Sequence, residues 1–129
     1  MKEKYTTPPK VVVCIGDLAW IISRPLFDKE WKNVPALICY SQDLVPPDIE
    51  HLVDKNQLAI DKMVPTQEIV KGYNVIRLQQ PVYIKETINT MKKLQPGLTK
   101  IVFIGDERYI SIRTREKVRE TIDTDFPEL

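Results

Sequence analysis

KVVVCIGD, residues Lys10 to Asp17, is the stretch whose reading decides the fold. It is a short, β-branched, almost unbroken apolar run closed by glycine, the pattern of a parallel strand buried on both faces. Beyond it, Trp20, Ile21, Leu26, Phe27 and Trp31 are spaced for a helix from Asp17 to Trp31, and Pro25 is expected to break or kink it around Ser23 to Arg24. Pro35 then opens ALICYS, Ala36 to Ser41, a second buried-type strand at the distance of a βαβ unit.

The span Gln42 to Gly72 holds Pro46, Pro47 and Pro65 and only a brief amphipathic hint around Ile49 to Val53. It reads as a long connection with a short helix or two, either a rim loop or a crossing between lobes. YNVIRL, Tyr73 to Leu78, is a third strand. Pro81 is placed to start a helix whose stripe Ile84, Ile88, Met91 ends at Pro96-Gly97. KIVFIGD, Lys100 to Asp106, reads as a fourth buried strand, and Thr114 to Thr124 as a final helix with Val118 and Ile122 facing inward. Four strands alternating with helices imply an α/β fold with a three-layer parallel sheet, Rossmann-like or flavodoxin-like.

VVCIGDLAWI (Val12 to Ile21) and IVFIGDERYI (Ile101 to Ile110) echo each other: a strand, Gly-Asp, two variable residues, an aromatic, then isoleucine. Asp17 and Asp106 would each follow a strand and open a helix, where a carboxylate caps free backbone N–H groups. The alternative is a ligand role, because open α/β sheets bind ligands outside the carboxyl ends of their strands. The same position gives Trp20, Tyr40, Ser41 and Tyr109 two readings, packing or the wall of a largely apolar pocket with a few polar groups. Arg108 and Arg113 read as solvated helix charges, although Arg108 beside Asp106 could meet a carboxylate.

Composition narrows the chemistry. The 19 basic and 18 acidic residues are intermixed, and a net charge of +1 provides no field for nucleic acid or an anionic membrane. No apolar run approaches the roughly 18 residues of a membrane span, and Met1 to Lys10 has no apolar core of a signal peptide. His51 is the only histidine and the 4 glycines are dispersed, which leaves neither a histidine metal cluster nor a phosphate-cradling glycine loop. Cys14 and Cys39 stand inside strand-like runs and are expected to be buried and unbridged. No catalytic residues, metal or cofactor are expected. A receiver-type phosphoacceptor would need an acidic pair before the first strand and a Lys-Pro after a late one, and neither is present.

The order KVVVCIGD, helix, VPALICYS, long connection, KGYNVIRLQQP, helix ending KKLQPG, then KIVFIGD resembles the substrate-binding-protein family of ABC transporters with a type I periplasmic-binding fold. Gly72 to Val75 matches the hinge element, with Tyr73 intervening, and Leu94 to Gly97 matches the end of the following helix. More narrowly, CIGDLAWIISRPLFDKEWKNVPALICYSQDLVP and QQPVYIKETINTMKKL are similar to the extracytoplasmic sensor region of hybrid two-component histidine kinases. The resemblance implies residues 1–71 as the end of a first lobe with its long connection, and 72–129 as a hinge strand and the start of a second lobe. It implies a non-enzymatic, ligand-sensing domain of a membrane-anchored periplasmic kinase. In that reading Asp17, Trp20, Tyr40, Ser41, Asp106 and Tyr109 would line a cleft that binds an unidentified small molecule. A flavodoxin-like enzyme or phosphoacceptor, and a transporter's free binding protein, are the alternatives. The chain is further expected to form a homodimer, by exposed strand edges or by exchange of the segment after Gly72.

Overall fold

The structure is a computed structural model that describes residues 7–50 and 60–129. The part of the Ile49–Val53 hint beyond Glu50 lies outside the described residues, as does His51. The chain divides into two compact units between Gln80 and Pro81. The strand formed within Tyr73 to Leu78, read from the sequence as a hinge strand, belongs to the first unit.

The first unit is α/β. Strands β1 (Val12–Ile15), β2 (Ala36–Ser41) and β5 (Val75–Gln79) form a parallel sheet in the order β1-β2-β5. Helix α1 (Asp17–Phe27) follows β1 and packs on β1 and β2. Between β2 and β5 the chain makes a two-stranded antiparallel ribbon, β3 (Leu44–Val45) with β4 (Val64–Pro65), then the short helix α2 (Thr66–Val70). The long connection thus carries its own small pairing.

The core of this unit lies between α1 and one sheet face. Register pairs Cys14 with Ile38 and Ile38 with Arg77, so these side chains share a face. Trp20, Ile21 and Phe27 of α1 are buried together with Cys14, Ala36 and Ile38, each large apolar side chain among them contributing roughly 1.5–3 kcal/mol. Trp20 meets Phe27 at a tilt of 49° and Tyr73 edge-on, at centroid distances of 4.7 and 5.1 Å. The opposite face carries Val13, Ile15, Ile76 and Leu78, all more than half exposed. Cys14 is buried, while Cys39, paired in register with Ile15, belongs to that second face and is half-buried; both thiols are free. They sit on opposite faces, and Cys39 falls short of the expected burial because its face of the sheet is open.

Pro25 does not break α1 at Ser23–Arg24. The helix runs on to Phe27, because a proline in the last turn forfeits little beyond one backbone bond while the burial of Phe27 holds that turn down.

The second unit holds α3 (Ile84–Leu94) and α4 (Tyr109–Asp125) around a small core of Ile88, Tyr109 and Phe126. Lys85 pairs with Asp125, Lys92 pairs with Glu128, and the Lys92 ammonium stands 5.3 Å from the centre of the Phe126 ring. The final helix starts at Tyr109, ahead of its expected beginning at Thr114, and Val118 and Ile122 are half-buried within it.

The expected fourth strand, Lys100 to Asp106, does not form. Ile101, Val102 and Phe103 line an apolar hollow of about 300 Å³ with Ile84, Ile88 and Met91, although Val102 is 81% and Phe103 40% exposed, and Ile104 beyond them is 89% exposed. Strand-type side chains are present, yet among the described residues no backbone partner reaches residues 101–105. A strand is a property of a pair, and here the second member is missing.

Candidate functional site at the carboxyl end of the sheet

The site begins with Gly16, which leaves β1 at φ +81°, a left-handed conformation costly for any residue with a Cβ. Its N–H donates to the Cys39 carbonyl at 2.9 Å, tying the exit of β1 to β2. The turn makes Asp17 the first residue of α1 and aims its carboxylate across to the end of β2 rather than at its own helix. Gly16 holds the N-cap position and Asp17 is the first helical residue, so the expectation that Asp17 caps the helix is corrected: its carboxylate accepts chiefly from the Ser41 hydroxyl and from the Gln42 N–H, both at 2.7 Å, with its own backbone N–H a minor further donor.

A backbone irregularity brings Ser41 into reach. Cys39 pairs with Leu78 but Ser41 with Gln79, so Tyr40 is an extra residue bulged from the ladder, at φ +57°. Strict alternation would have placed Tyr40 on the covered face with Ile38 and sent Ser41 to the other side. The bulge exchanges them: Ser41 is fully buried and Tyr40 is 59% exposed.

Arg77 closes the network from β5. Its Nε donates to Ser41 Oγ at 2.9 Å, its Nη2 to the Gln42 carbonyl at 2.8 Å and its Nη1 to Gln67 Oε1 at 3.2 Å. Thr66, also fully buried, donates its hydroxyl to the same Gln42 carbonyl at 2.6 Å and its N–H to the Asp43 carbonyl at 2.9 Å. One carboxylate, one guanidinium and two hydroxyls thus clamp the ends of β1, β2 and β5 and the start of α2. Arg77, Gln42, Thr66 and Gln67 are not among the site residues expected from the sequence. The legible signal was the arginine inside the otherwise apolar YNVIRL, since a cation in a strand facing a core needs an anion nearby.

Burial pushes the Asp17 carboxyl above its ordinary range, against the opposing pull of the Gln42 N–H, the Ser41 hydroxyl and the Arg77 charge. A carboxyl with a raised native pKa stabilises the fold most fully when protonated, below the unfolded value of about 3.9, and that contribution is lost as pH rises through the raised value. Asp17→Asn is therefore expected to flatten the decline in stability above pH ~4. Urea denaturation at a series of pH values checks this; a slope identical to that of the unaltered protein refutes it.

The six residues expected to line a cleft fall into two groups. In the first unit, Asp17 and Ser41 are bonded to each other and Tyr40 stands beside them with its ring in solvent, while Trp20 is fully buried in the core beneath α1. In the second unit, Asp106 accepts from the Arg108 N–H at 3.0 Å and from Arg108 Nε at 2.5 Å. A hydrogen bond from the Ser111 side chain, then the Arg108 contacts, hold the Asp106 carboxyl below its usual range. Asp106 braces the turn before α4 and does not end a strand, because the strand is absent. Tyr109 is 3% exposed in the core of that unit.

The arrangement offers a rigid turn whose polar atoms are internally satisfied, with two open elements: the Tyr40 ring, and the space over Gly16, where a Cβ would meet nothing within 4 Å. Both Asp17 oxygens are engaged by the Ser41 hydroxyl and the Gln42 N–H. Among the described residues no helix is long and apolar enough to cross a membrane. Comparison with models of known families, with curated proteins and with solved structures finds no match to this chain.

Proposed function

We propose that this chain is a ligand-sensing domain of the periplasmic-binding type, belonging to the extracytoplasmic region of a membrane-anchored two-component sensor kinase. The observation that carries the reading is the clamped turn at the carboxyl end of the parallel sheet. Open α/β sheets bind ligands at that end, and here a strained, exposed Tyr40 is held on an internally bonded polar network. In this reading a small molecule rests its apolar part on Tyr40 and its polar part against the backbone around Gly16, and binding shifts a two-state arrangement read by the kinase. A transporter's binding protein would use the same site with a different output. A phosphoacceptor role is less well supported, because Asp17 is fully buried with both oxygens bonded.

The test is native mass spectrometry of the purified protein for a co-purified small molecule, followed by the same measurement on Tyr40→Gly. Glycine relieves the left-handed backbone at position 40, worth roughly 1–2 kcal/mol less its own entropy cost of about 0.5–1 kcal/mol. The variant is expected to be as stable as the unaltered protein or slightly more so, and to have lost the bound molecule. Retention of the molecule by Tyr40→Gly would remove this turn from the binding site.

A further inference from the structure

We infer that residues 100–106 form a self-complementary strand that pairs antiparallel with the same segment of a second copy, making a homodimer about a two-fold axis. The segment has strand composition, and among the described residues none of the backbone groups of 101–105 has a backbone partner. Ile101, Val102 and Phe103 border the apolar hollow beside α3 and α4, with Ile101 half-buried and Phe103 40% exposed, while Val102 and Ile104 are the most open at 81% and 89%. Such a segment, apolar and with its rows of backbone hydrogen-bonding groups open among the described residues, is a template for another strand.

The sequence selects which strand. When KIVFIGD is laid antiparallel on itself with Phe103 at the two-fold axis, Lys100 stands opposite Asp106, Ile101 opposite Gly105 and Val102 opposite Ile104. Lys100, Val102, Ile104 and Asp106 share the outward face by alternation, so each end of the pair receives a cation facing an anion and the centre receives four aliphatic side chains. Asp106 keeps 46% of its side chain exposed while bonded to Arg108, which leaves it open to the lysine. Gly105 fits the inner row, because a Cβ there would stand 2.8 Å from the Phe103 ring. A parallel pairing in register would set Lys100 against Lys100 and Asp106 against Asp106. Charge therefore favours the antiparallel dimer.

Sedimentation of the full chain from micromolar to millimolar concentration is expected to show reversible association to twice the chain mass of 15.0 kDa. Ile104→Lys, at a position exposed in the single chain, is expected to keep the circular dichroism spectrum and weaken dimerisation by about 100-fold, through like charges and lost apolar contact at the centre of the pair. Register is tested by charge exchange. Lys100→Glu alone and Asp106→Lys alone each place like charges at both ends and are expected to weaken association by roughly 10-fold. Mixing the two variants restores complementarity at both ends, and the mixed dimer is expected to regain the original affinity. A protein that stays monomeric at millimolar concentration overturns the inference. So does a dimer indifferent to Ile104→Lys, a mixture no tighter than its components, or a monomer whose amides at 101–105 are protected from hydrogen exchange, which would mean that the strand pairs within its own chain.

Discussion

Trp20→Ala is expected to remove about 4 kcal/mol of folding stability, the typical loss when a large aromatic is cut from a packed core. Trp20 is fully buried, its ring contacts Phe27 and Tyr73, and through them it joins α1 to the segment leading into β5. Domains hold only about 5–15 kcal/mol in total, so the variant is expected to be largely unfolded at modest urea concentrations. Trp20→Phe provides a control with a physical signature. The indole Nε1 is buried with no hydrogen-bond partner, a burden of about 1–3 kcal/mol that phenylalanine does not carry. The smaller ring should therefore cost far less than alanine. Equal losses for the two variants, measured by urea denaturation monitored by circular dichroism, would falsify the assignment of Trp20 as the packing centre with an unsatisfied N–H.

The second large effect is expected at Asp17. Asp17→Ala deprives the Ser41 hydroxyl and the Gln42 N–H of their acceptor and leaves Arg77 without its nearby counter-charge, all in buried or half-buried positions. Breaking such a network from one side costs about 3–5 kcal/mol. Replacing both ends, Asp17→Ala with Arg77→Met, removes the stranded cation as well and is expected to recover part of the loss, so the double variant should be more stable than the sum of its singles. If Asp17→Ala loses less than about 1 kcal/mol, the clamp is not what holds the strand ends together.

Part of this site was legible in the residues. VVCIGD announced a strand, a glycine turn and an acid at the carboxyl end of the sheet, though not that Val13 and Ile15 would be exposed where burial on both faces was expected, and ALICYS put Ser41 at the end of the neighbouring strand; periodicity and turn chemistry are local properties. The partnership of the two was not legible, since it depends on the bulge at Tyr40, and a one-residue insertion leaves no mark in an apolar run. Arg77 was visible as an anomaly in YNVIRL without revealing itself as the cation that serves Asp17. The repeat also misled: VVCIGDLAWI and IVFIGDERYI are alike in wording, but only the first finds neighbours for its strand.

The sequence by itself determined the α/β class, the two strands at 12–15 and 36–41, the helix carrying Ile84, Ile88 and Met91, which begins at Ile84 and not at Pro81, and the strand type of 75–79, because each follows from the spacing of apolar residues and the stereochemistry of glycine. Tertiary structure alone decided the strand order β1-β2-β5, the burial of Trp20 and Tyr109 as core rather than pocket wall, the turning of Asp17 away from its own helix, and the failure of Ile101 to Ile104 to join a sheet. The physical reason is the same in each case. These features depend on which distant groups compete for a hydrogen bond or a buried surface, and a strand, a clamp or a core position is decided by the partner that arrives, not by the residue that waits for it.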